Sequence, residues 1–498
     1  MSFSNKKILN KENLKKFYTL IKKNQRVGLC HGVFDILHFG HSIHFANAKK
    51  YCDILIVSLT IDKFVKKGPL QPFFNSLERA SFLLSIKYVD FVYISNSETG
   101  EEAINLFKPD CYIKGIDYIN KYNDINLNNE KKACKKNKTK IIFTKTTKYS
   151  STKIFNNYFN LNSEKKIKII KEIKKKYSIS EINNIFNKIS EKTFVLTGEP
   201  IIDKYQYIDV LGTSTKSPII TSNYVRDEVH LGGTLAAANM ISNFAKKIIF
   251  LFPGKKIINS KILKKIHSNV KIENHNLNFE IPIKTRFVTN VRKNKMFQIN
   301  KINRFNPNKN FFYNYLKKIN FYQKKYPTLI FDFGLGLFSK KSINNLNCKK
   351  IYLNVQSNSN NYGFNLFSKY KNFSYLSVNL REFELNFAKK IEDYKEIKLL
   401  SKDIKKNFSV TLGENGSVLI NKKKIFYCPN FYPNAIDTTG CGDAYFIMTS
   451  LLISMGYKDE LVPFLGNIYA GLHSRNFGNS RFPSRDELLK SVDSILNF

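Results

Sequence analysis

Two histidines, His38 and His41, lie three residues apart just after the first predicted strand of the chain. This spacing places both imidazoles on one face of the helix that begins there. A helix N-terminus attracts anions through its unpaired N–H groups and its dipole, and two imidazoles can donate hydrogen bonds to a phosphoryl group as charge develops on it. Gly40 lets the backbone approach a phosphate closely. The pattern indicates a phosphate-transfer site, with two partly buried helix-start histidines as the alternative.

A second group of such residues lies near the other end of the chain, where Gly440, Cys441 and Gly442 precede Asp443 and an apolar helical stretch. Glycines at a helix start expose successive N–H groups that can bind an anion. An Asp directly after them can accept a hydroxyl proton as that oxygen attacks a γ-phosphate. An ordinary tight turn explains the same tetrapeptide, so other motifs must decide between the two interpretations.

The elements around the histidines alternate between short apolar runs and helix-like stretches over residues 27–145. This alternation predicts a parallel sheet with right-handed crossovers. Predicted strands are Val27–Cys30, Ile54–Leu59, Val89–Ile94, Cys111–Ile113 and Lys140–Phe143. Predicted helices are His41–Lys50, Ser76–Lys87, Glu101–Phe107 and Asn129–Lys136. Ligands in such folds lie at the carboxyl ends of the strands, which is where the histidine pair falls.

The rest of the chain predicts a linker and a second α/β domain. Residues 156–190 have Ile at helical spacing and many Lys, which predicts one or two solvated amphipathic linker helices rather than a membrane-surface helix. Polar and apolar residues alternate over 204–230 and 281–303, where a hairpin is expected to turn near Arg292–Lys295. These strands predict a small sheet apart from the main one. The expected segments are therefore 1–155, 156–190 and 191–498.

The segment Gly32–His41 resembles the first motif of the cytidylyltransferase-like nucleotidyltransferases. The resemblance extends over residues 25–155, with further motifs in the order found in the nucleotidyltransferase half of bacterial ADP-heptose synthases. These are Lys67-Gly68-Pro69, Pro72, Asn75, Glu78-Arg79, Tyr112–Tyr118 and Tyr149–Thr152. This resemblance implies a Rossmann-like N-terminal domain. In the implied reaction, a sugar-phosphate oxygen attacks the α-phosphorus of a nucleoside triphosphate and pyrophosphate is released.

This resemblance also implies roles for individual residues. His38 and His41 would stabilise the pentacoordinate phosphorus, and Lys67 would neutralise phosphate charge. The implied nucleotide-binding residues are Gly32, Phe34, Gly40, Arg79, Lys114, Ser151 and Thr152. Arg79 gains weight because the chain has 71 Lys and only 10 Arg, so that a retained Arg can mark a bidentate phosphate contact. A surface arginine on a helix is the alternative.

Residues 193–498 resemble the ribokinase-like (phosphofructokinase B) sugar kinases through Asp437–Asp443, with Cys441 where Ala is usual. The resemblance implies a C-terminal α/β kinase domain with a small β lid and with Asp443 as general base. Implied nucleotide-binding residues are Thr411, Gly413, Gly416, Gly440, Cys441 and Gly442. Implied sugar-binding residues are Asp203, Gly232, Gly233 and Asn239. Asn379 and Glu382 match a motif implicated in Mg²⁺ binding through water.

Several features depart from the heptose kinases of this family. Glu199 stands where they tend to have Asp, and Asn354–Gln356 occupies the region of their Asp-Pro-Lys. The spacing from Gly232 to Asn239 is longer than usual. These departures fall on substrate-side and auxiliary positions, which favours a different sugar over an inactive kinase. The nucleotidyltransferase also precedes the kinase, the reverse of the order in the bifunctional heptose enzymes.

The net charge of +42 suggests a nucleic-acid or membrane-surface partner. The charge is evenly spread, however: residues 1–155 carry 27 basic and 13 acidic residues, and the other 343 carry 54 and 26. A nucleic-acid-binding protein stays as the alternative of another class, and it predicts steeply salt-dependent binding. No run approaches 18 apolar residues, so we expect no membrane span. Seven scattered cysteines without a Cys-x-x-Cys pair indicate reduced thiols in a cytoplasm and no zinc site.

These expectations combine into a bifunctional sugar kinase and sugar-phosphate nucleotidyltransferase that makes a nucleotide-activated, heptose-like sugar for surface polysaccharide. The expected cofactor is Mg²⁺, held largely by substrate phosphates. ATP and a second nucleoside triphosphate are the expected substrates, with the base (CTP, ATP or GTP) and the sugar left open. A nucleotidyltransferase with a non-catalytic, sugar-binding kinase-like domain is the alternative. The lids of ribokinase-like proteins often pair. The oligomeric state is therefore left open between a homodimer formed through the lid and a monomer.

Overall fold

The computed structural model divides the chain into two compact units, Met1–Asn162 with Ser494–Phe498 and Ser163–Asp493. The domain boundaries expected from the sequence, at residues 155 and 190, stay a prediction. The structure describes residues 7–9, 14, 17–18, 24–65, 72–115, 125–144, 164–255, 260–340, 343, 346, 350–359, 361–401, 404, 406–421, 424–432 and 434–497. Three of the predicted site residues lie outside these ranges: Lys67, Ser151 and Thr152.

The first unit contains a six-stranded parallel sheet with the order β1-β4-β3-β2-β5-β6. Its strands are β1 Ile8–Leu9, β2 Val27–Gly32, β3 Ile54–Thr60, β4 Phe91–Ser95, β5 Cys111–Gly115 and β6 Lys140–Thr144. Its helices are α1 Phe39–Lys49, α2 Ser76–Leu84, α3 Glu101–Phe107 and α4 Ile125–Lys136. Since β2 lies between β3 and β5, the strand order reverses there, and the crevice at the carboxyl end of β2 is the expected ligand site.

Both faces of this sheet are covered. Side chains alternate between the faces of a strand, so β3, which is buried along its whole length, needs a core on each side. Cys30 and Phe45 belong to one core, whereas the neighbouring Leu29 packs in the other with Phe107. The predicted alternation of strands and helices is confirmed, with element ends displaced by up to four residues.

The second unit contains a nine-stranded sheet with the order β11-β10-β7-β14-β15-β16-β17-β18-β19, in which only β17–β18 and β18–β19 pair antiparallel. Its strands are β7 Thr193–Gly198, β10 Lys247–Gly254, β11 Val270–Leu277, β14 Thr328–Asp332, β15 Ile351–Val355, β16 Tyr375–Asn379, β17 Asn407–Thr411, β18 Ser417–Asn421 and β19 Lys424–Cys428. The helices from residue 233 onward are α7 Gly233–Ser242, α8 Ser260–Leu263, α9 Lys309–Gln323, α10 Leu380–Phe387, α11 Tyr394–Leu400, α12 Cys441–Ser454, α13 Leu461–His473 and α14 Arg485–Leu496.

A separate four-stranded sheet, which we call the lid, has the order β13-β12-β8-β9. Its strands are β8 Pro200–Thr213, β9 Ile220–Gly232, β12 Ile283–Thr289 and β13 Lys295–Lys301. The hairpin of β12 and β13 turns over residues 290–294, which agrees with the predicted turn. The predicted fold class, α/β with a small additional sheet, is confirmed.

Two helices, α5 Glu164–Lys176 and α6 Ile179–Ser190, occupy the predicted linker. The apolar stripe of α6 is buried within the second unit, where Phe186 contacts the Phe244 ring. The sequence pattern correctly predicts amphipathic helices, but their apolar face packs instead of being solvated. Among the described residues, no helix is both long and apolar enough to cross a bilayer.

Candidate active sites

The first candidate site begins with a strained turn between β2 and α1. Phe34 has a φ of 47°, a conformation that costs a bulky residue free energy and must be held by its surroundings. Its ring packs against the His41 imidazole, with centroids 5.4 Å apart, and against the Phe45 ring at 5.3 Å. A Cβ at Gly32 would lie 3.0 Å from the Phe34 ring. The buried ring of Phe34 therefore supports the His41 imidazole by direct packing.

The histidine pair lies directly above this turn. His38 is the N-cap residue of α1, and its backbone N–H donates to His41 Nδ1 at 3.3 Å. The two imidazoles stack with centroids 3.9 Å apart. Burial lowers the pKa of His38 below its ordinary value, so the ring is neutral at pH 7 and donates through one nitrogen. The structure thus brings His38, Gly40 and His41 together at the carboxyl end of β2.

A buried carboxylate fixes the next loop to this turn. Asp35 accepts hydrogen bonds from the backbone N–H groups of Phe73, at 2.8 and 2.9 Å, and of Phe74, at 3.1 Å. Only 7% of Asp35 is exposed. Charge-assisted bonds of this kind are stronger than neutral ones, so Asp35 sets the path of the chain leading into α2.

Arg79 joins the same loops but offers no surface to a ligand. Its side chain is fully buried. The guanidinium donates to the carbonyls of Val33, Thr60 and Phe74, and it forms an ion pair of 2.6 Å with Asp62. Because these acceptors engage the guanidinium fork, the position of Arg79 does not support the predicted phosphate contact. The burial of the side chain contradicts the alternative of a surface arginine.

Lys114 likewise lies in a buried ion pair. Its ammonium is 2.8 Å from Glu130, and both side chains are more than nine-tenths buried. The other oxygen of Glu130 accepts the Gly100 N–H at 2.9 Å. This network ties β5 to α4 and to the start of α3. The predicted nucleotide contact of Lys114 therefore has no support from its position.

Two further histidines support the site without having been predicted. His44 lies one helical turn after His41, and its Nδ1 is 2.7 Å from the Thr144 hydroxyl. His31, on β2, lies 3.0 Å from the Ser58 hydroxyl. Burial lowers the pKa of each to about 4, so both are neutral hydrogen-bonding groups. The continued three-residue spacing from His38 to His44 was the available sequence signal.

The second candidate site is built on the turn before α12. Gly440 has a φ of 81°, and a Cβ there would lie 2.7 Å from Asn479 Oδ1 and 2.8 Å from His473 Nε2. Only glycine fits this position. Helix α12 begins at Cys441, and the N–H groups of a first helical turn have no carbonyl partner within the helix. Gly440 and Gly442 line a recess at this point.

Asp443 stands in this first turn and faces a neutral partner. Its Oδ1 accepts a hydrogen bond of 2.5 Å from Gln356 Nε2, which lies 2.6 Å from Asn354 Oδ1. Burial raises the pKa of Asp443 to about 7, against the lowering effect of the Gln356 bond. A cation in place of Gln356 would lower this pKa further. Asp443 is therefore poised to exchange a proton near neutral pH.

A continuous recess surrounds this carboxyl group. One part, of about 190 Å³, is lined by Gly440, Gly442, Asp443 and the motif of Asn379 and Glu382. The adjoining part, of about 340 Å³, is lined by Thr411, Gly413, Gly416 and Cys441. The two share Asn379, Thr411, Thr438 and Gly442. All predicted nucleotide-side residues of the second unit thus meet in one place.

The predicted metal motif also caps a helix. Asn379 Oδ1 accepts the Glu382 N–H at 2.8 Å, and Glu382 Oε2 accepts the Asn379 N–H at 2.7 Å. Glu382 Oε1 accepts the Ser357 N–H at 3.0 Å. Burial raises the pKa of Glu382 to about 7. Both carboxylate oxygens already bind main-chain groups, so any further contact uses their remaining lone pairs.

On the sugar side, Asp203 is central. Its two oxygens contact Arg286 at 2.5 Å and Asn479 at 3.2 Å. A Cβ at Gly232 would lie 2.6 Å from the Asp203 carboxylate, and Gly233 begins α7 with a φ of 54°. These predicted residues therefore lie together.

Asn239 does not join them in the same way. Its amide nitrogen donates to the Lys265 carbonyl at 2.6 Å, and its oxygen accepts the His267 N–H at 3.1 Å. The side chain holds a loop, so its position does not support the predicted sugar contact.

Sequence reasoning missed the basic residues of the lid. Lys284 and Arg286 lie two residues apart on β12, hence on one face of the strand, and Lys284 pairs with Asp203 in the register of β12 and β8. Burial lowers the pKa of Lys284. The low Arg content of the sequence, which is the argument for a functional role of Arg79, applies equally to Arg286. Among the described residues, no group of three or more His, Cys, Asp or Glu could hold a metal ion by itself.

Comparisons with known proteins agree with the two sites. Residues 29–157 match the family model described as cytidylyltransferase-like, and residues 349–447 match the pfkB family carbohydrate kinases. The chain is 44% identical over 124 residues to the bifunctional protein HldE of Campylobacter jejuni strain RM1221, covering 24% of this chain and 26% of that one. Against the protein of the same name from Helicobacter pylori strain J99 it is 39% identical over 117 residues, covering 23% and 25%.

A solved structure agrees in fold. Phosphofructokinase-2 from Escherichia coli, in complex with potassium, superposes with a TM-score of 0.50 and 13% identity, covering 61% of this chain and 99% of that one. The chain spans about a quarter of the length of the two curated relatives. It contains a cytidylyltransferase-like region followed by a pfkB carbohydrate kinase region.

The burial of Arg79 predicts a loss of stability for Arg79→Met. Removing the guanidinium leaves three carbonyls and Asp62 without their partner, which costs about 3 kcal/mol of unfolding free energy. Hydrogen exchange of the β2 amides under increasing urea measures this for the first unit alone. Arg26→Met is the control, because Arg26 forms an exposed pair with Asp53 at 3.6 Å, and we expect a change below about 0.5 kcal/mol. If Arg79→Met is as stable as the parent protein but binds nucleotide more weakly, the predicted phosphate contact of Arg79 is supported instead.

Proposed function

We propose that this chain, with its cytidylyltransferase-like and pfkB-like regions, is a bifunctional enzyme: a sugar kinase and a sugar-phosphate nucleotidyltransferase. The observation that carries the proposal is the recess around Asp443, where a carboxyl group of pKa about 7 stands in the first turn of α12. A base and a set of anion-binding N–H groups thus share one space. The stacked histidines of the first unit support the second activity independently.

In the kinase reaction, a sugar hydroxyl attacks the γ-phosphorus of ATP, the bond from that phosphorus to the β,γ-bridging oxygen breaks, and ADP leaves. Asp443 accepts the hydroxyl proton, and the N–H groups at the start of α12 stabilise the charge on the transferred phosphoryl group. Asp203, held by Arg286 and Asn479, orients the sugar. Its own contacts fix the carboxylate, so that positioning contributes to the rate.

In the nucleotidyl transfer, a sugar-phosphate oxygen attacks the α-phosphorus of a nucleoside triphosphate and pyrophosphate leaves. His38 and His41 donate hydrogen bonds to the oxygens on the pentacoordinate phosphorus, where negative charge develops. No covalent enzyme intermediate is needed, so orientation and charge stabilisation account for catalysis. Lys67, Ser151 and Thr152, which lie outside the described residues, are proposed to contact the phosphates.

Mg²⁺ is part of this proposal. The donors facing the recess are hard oxygen and amide groups, which suits Mg²⁺, and Glu382 binds main-chain N–H groups with both oxygens. Glu382 and Asn379 would therefore hold the ion through water, while substrate phosphates supply its direct ligands. When bound, the ion supplies charge neutralisation between the phosphates.

The product is proposed to be a nucleotide-activated, heptose-like sugar for surface polysaccharide. The likeness to the two HldE proteins supports this, although it covers only about a quarter of their length. ATP and a second nucleoside triphosphate would be consumed, and the free thiols of the described cysteines support a cytoplasmic site of synthesis. The alternative is a sugar-binding second unit without kinase activity.

Two variants separate the activities. The purified chain is incubated with a panel of sugars, sugar phosphates and four nucleoside triphosphates, while nucleoside diphosphate and pyrophosphate release are followed separately. His41→Ala should reduce pyrophosphate release by about 100- to 1000-fold and leave the kinase unchanged. Asp443→Asn should abolish phosphorylation and leave pyrophosphate release unchanged, so that each variant controls the other. Phosphorylation by Asp443→Asn, or normal pyrophosphate release by His41→Ala, contradicts the respective assignment.

The raised pKa of Asp443 predicts the pH dependence of the kinase. At pH 6 most of the carboxyl group is protonated and cannot accept a proton, whereas at pH 8 most is ionised, so kcat/KM should rise across this interval with a midpoint near 7. Gln356→Lys places a cation against the carboxylate and should move the midpoint down by about one unit. Pyrophosphate release by the same samples is the control. If the midpoint is the same in Gln356→Lys, the ionisation that controls kcat/KM is not that of Asp443.

We also propose that the lid pairs with the lid of a second copy. Phe297 and Ile299 alternate on the edge strand β13 and are 52% and 55% exposed, and Phe297 stacks on Phe287 at 4.4 Å. An apolar edge strand of this kind tends to associate. We expect light scattering to show a dimer, and a monomer for the double variant Phe297→Lys and Ile299→Lys. Lys216→Glu, at the exposed tip of the lid, should remain dimeric, and a monomeric parent protein would refute the pairing.

A further inference from the structure

The strongest contact between the lid and the turn before α12 is made by Lys295. Its ammonium lies 2.6 Å from Asp437 Oδ1 and 2.7 Å from the Thr439 hydroxyl. Lys295 is the first residue of β13, and its ammonium lies 5.9 and 5.7 Å from the ring centroids of Tyr205 and Phe477. The side chain therefore reaches from the lid to the residue that precedes Gly440.

Asp437, the partner of Lys295, holds the turn itself. Its Oδ1 accepts hydrogen bonds from the backbone N–H and the hydroxyl of Thr439, at 2.9 and 2.8 Å. Its Oδ2 accepts the Gly478 N–H at 2.8 Å. Burial alone would raise the pKa of Asp437, but the bonds from Lys295 and Thr439 outweigh it and the pKa is lowered. The carboxylate is thus ionised and central to the local geometry.

The loop that contains Gly478 also contacts the lid, at the residues proposed to bind the sugar. Asn479, next to Gly478, donates to Asp203 on β8, and Asp203 pairs with Arg286 on β12. Lys295 pairs with Val288, two residues beyond Arg286, in the register of the β12–β13 hairpin. Two polar contacts therefore connect the lid to the rest of the second unit: Lys295 binds the turn before α12, and Asp203 binds Asn479. Gly478, the neighbour of Asn479, donates its N–H to Asp437, so both contacts lead to the turn that precedes α12.

We propose that Lys295 is a positioning residue for phosphoryl transfer, whose ammonium couples closure of the lid over the sugar to the conformation of the turn Asp437–Gly442. The inference deepens the proposed kinase function and rests on it for its kinetic part. Lys295 itself contacts no reacting atom. It holds Asp437 and Thr439, which in turn fix where the N–H groups at the start of α12 point.

The effect on geometry can be measured without a substrate. In the full chain, Lys295→Met should accelerate hydrogen exchange at the Thr439 and Gly478 amides by about tenfold, because both bind the carboxylate that Lys295 neutralises. Lys301→Met is the matched control. Lys301 lies at the other end of β13 and pairs with Glu280 on the surface, with both side chains about two-thirds exposed. Equal exchange in the two variants would overturn the proposal.

The effect on catalysis uses the best acceptor found in the sugar panel. Lys295→Met should lower kcat by about 10- to 100-fold while KM for ATP changes by less than about threefold, since the ATP-binding groups are intact. Lys295→Arg should restore most of kcat, because it keeps the charge, and Lys301→Met should equal the parent protein. A purely structural role would lower the melting temperature of Lys295→Met without this split between kcat and KM.

The outcomes distinguish the inference from the function on which it rests. A parent protein that phosphorylates no acceptor contradicts the kinase function, and hydrogen exchange then still decides whether Lys295 fixes the turn. An active parent protein with unchanged kcat in Lys295→Met overturns the inference and leaves the kinase function standing.

Discussion

Buried carboxylates that accept hydrogen bonds from the main chain hold the loops of both candidate sites. Asp35 binds two backbone N–H groups of the segment before α2, and Asp437 binds those of Thr439 and Gly478. Loops at strand ends carry N–H groups that no sheet or helix satisfies, and leaving them buried without a partner is costly. A charged acceptor satisfies several at once and so fixes several segments. Without these anchors, the residues proposed to react would share a sheet edge but no defined geometry.

The buried cations show how the same physical rule separates structural from functional charge. Arg79 and Lys114 are placed where their charges are already neutralised, by Asp62 and carbonyl oxygens in one case and by Glu130 in the other. Taking such a charge out of water is tolerated only when its donors are satisfied. The position of a cation that is satisfied in this way accounts for a role in the fold and gives no support to a phosphate contact.

The second unit shows the complementary arrangement, in which a charge is left incompletely neutralised. Asp443 receives a neutral donor, Gln356, and its pKa is raised to about 7. Asp437, four residues before α12 begins, receives an ammonium and its pKa is lowered. Two carboxylates on one short segment thus have different states at neutral pH, which suits one for proton exchange and the other for holding the turn.

Local patterns in the sequence were enough to predict the elements and the motifs. Apolar runs such as that of β3 predicted buried parallel strands, and the glycines before Asp443 predicted a helix start, because side-chain period and backbone freedom are properties of neighbouring residues. Tertiary structure alone decided which partner each charge receives. Lys295 meets Asp437 across 142 positions, and Arg79 is buried rather than exposed, because strand order and packing bring distant residues together. No local pattern encodes those contacts, so the sequence located the two sites while the fold assigned the roles within them.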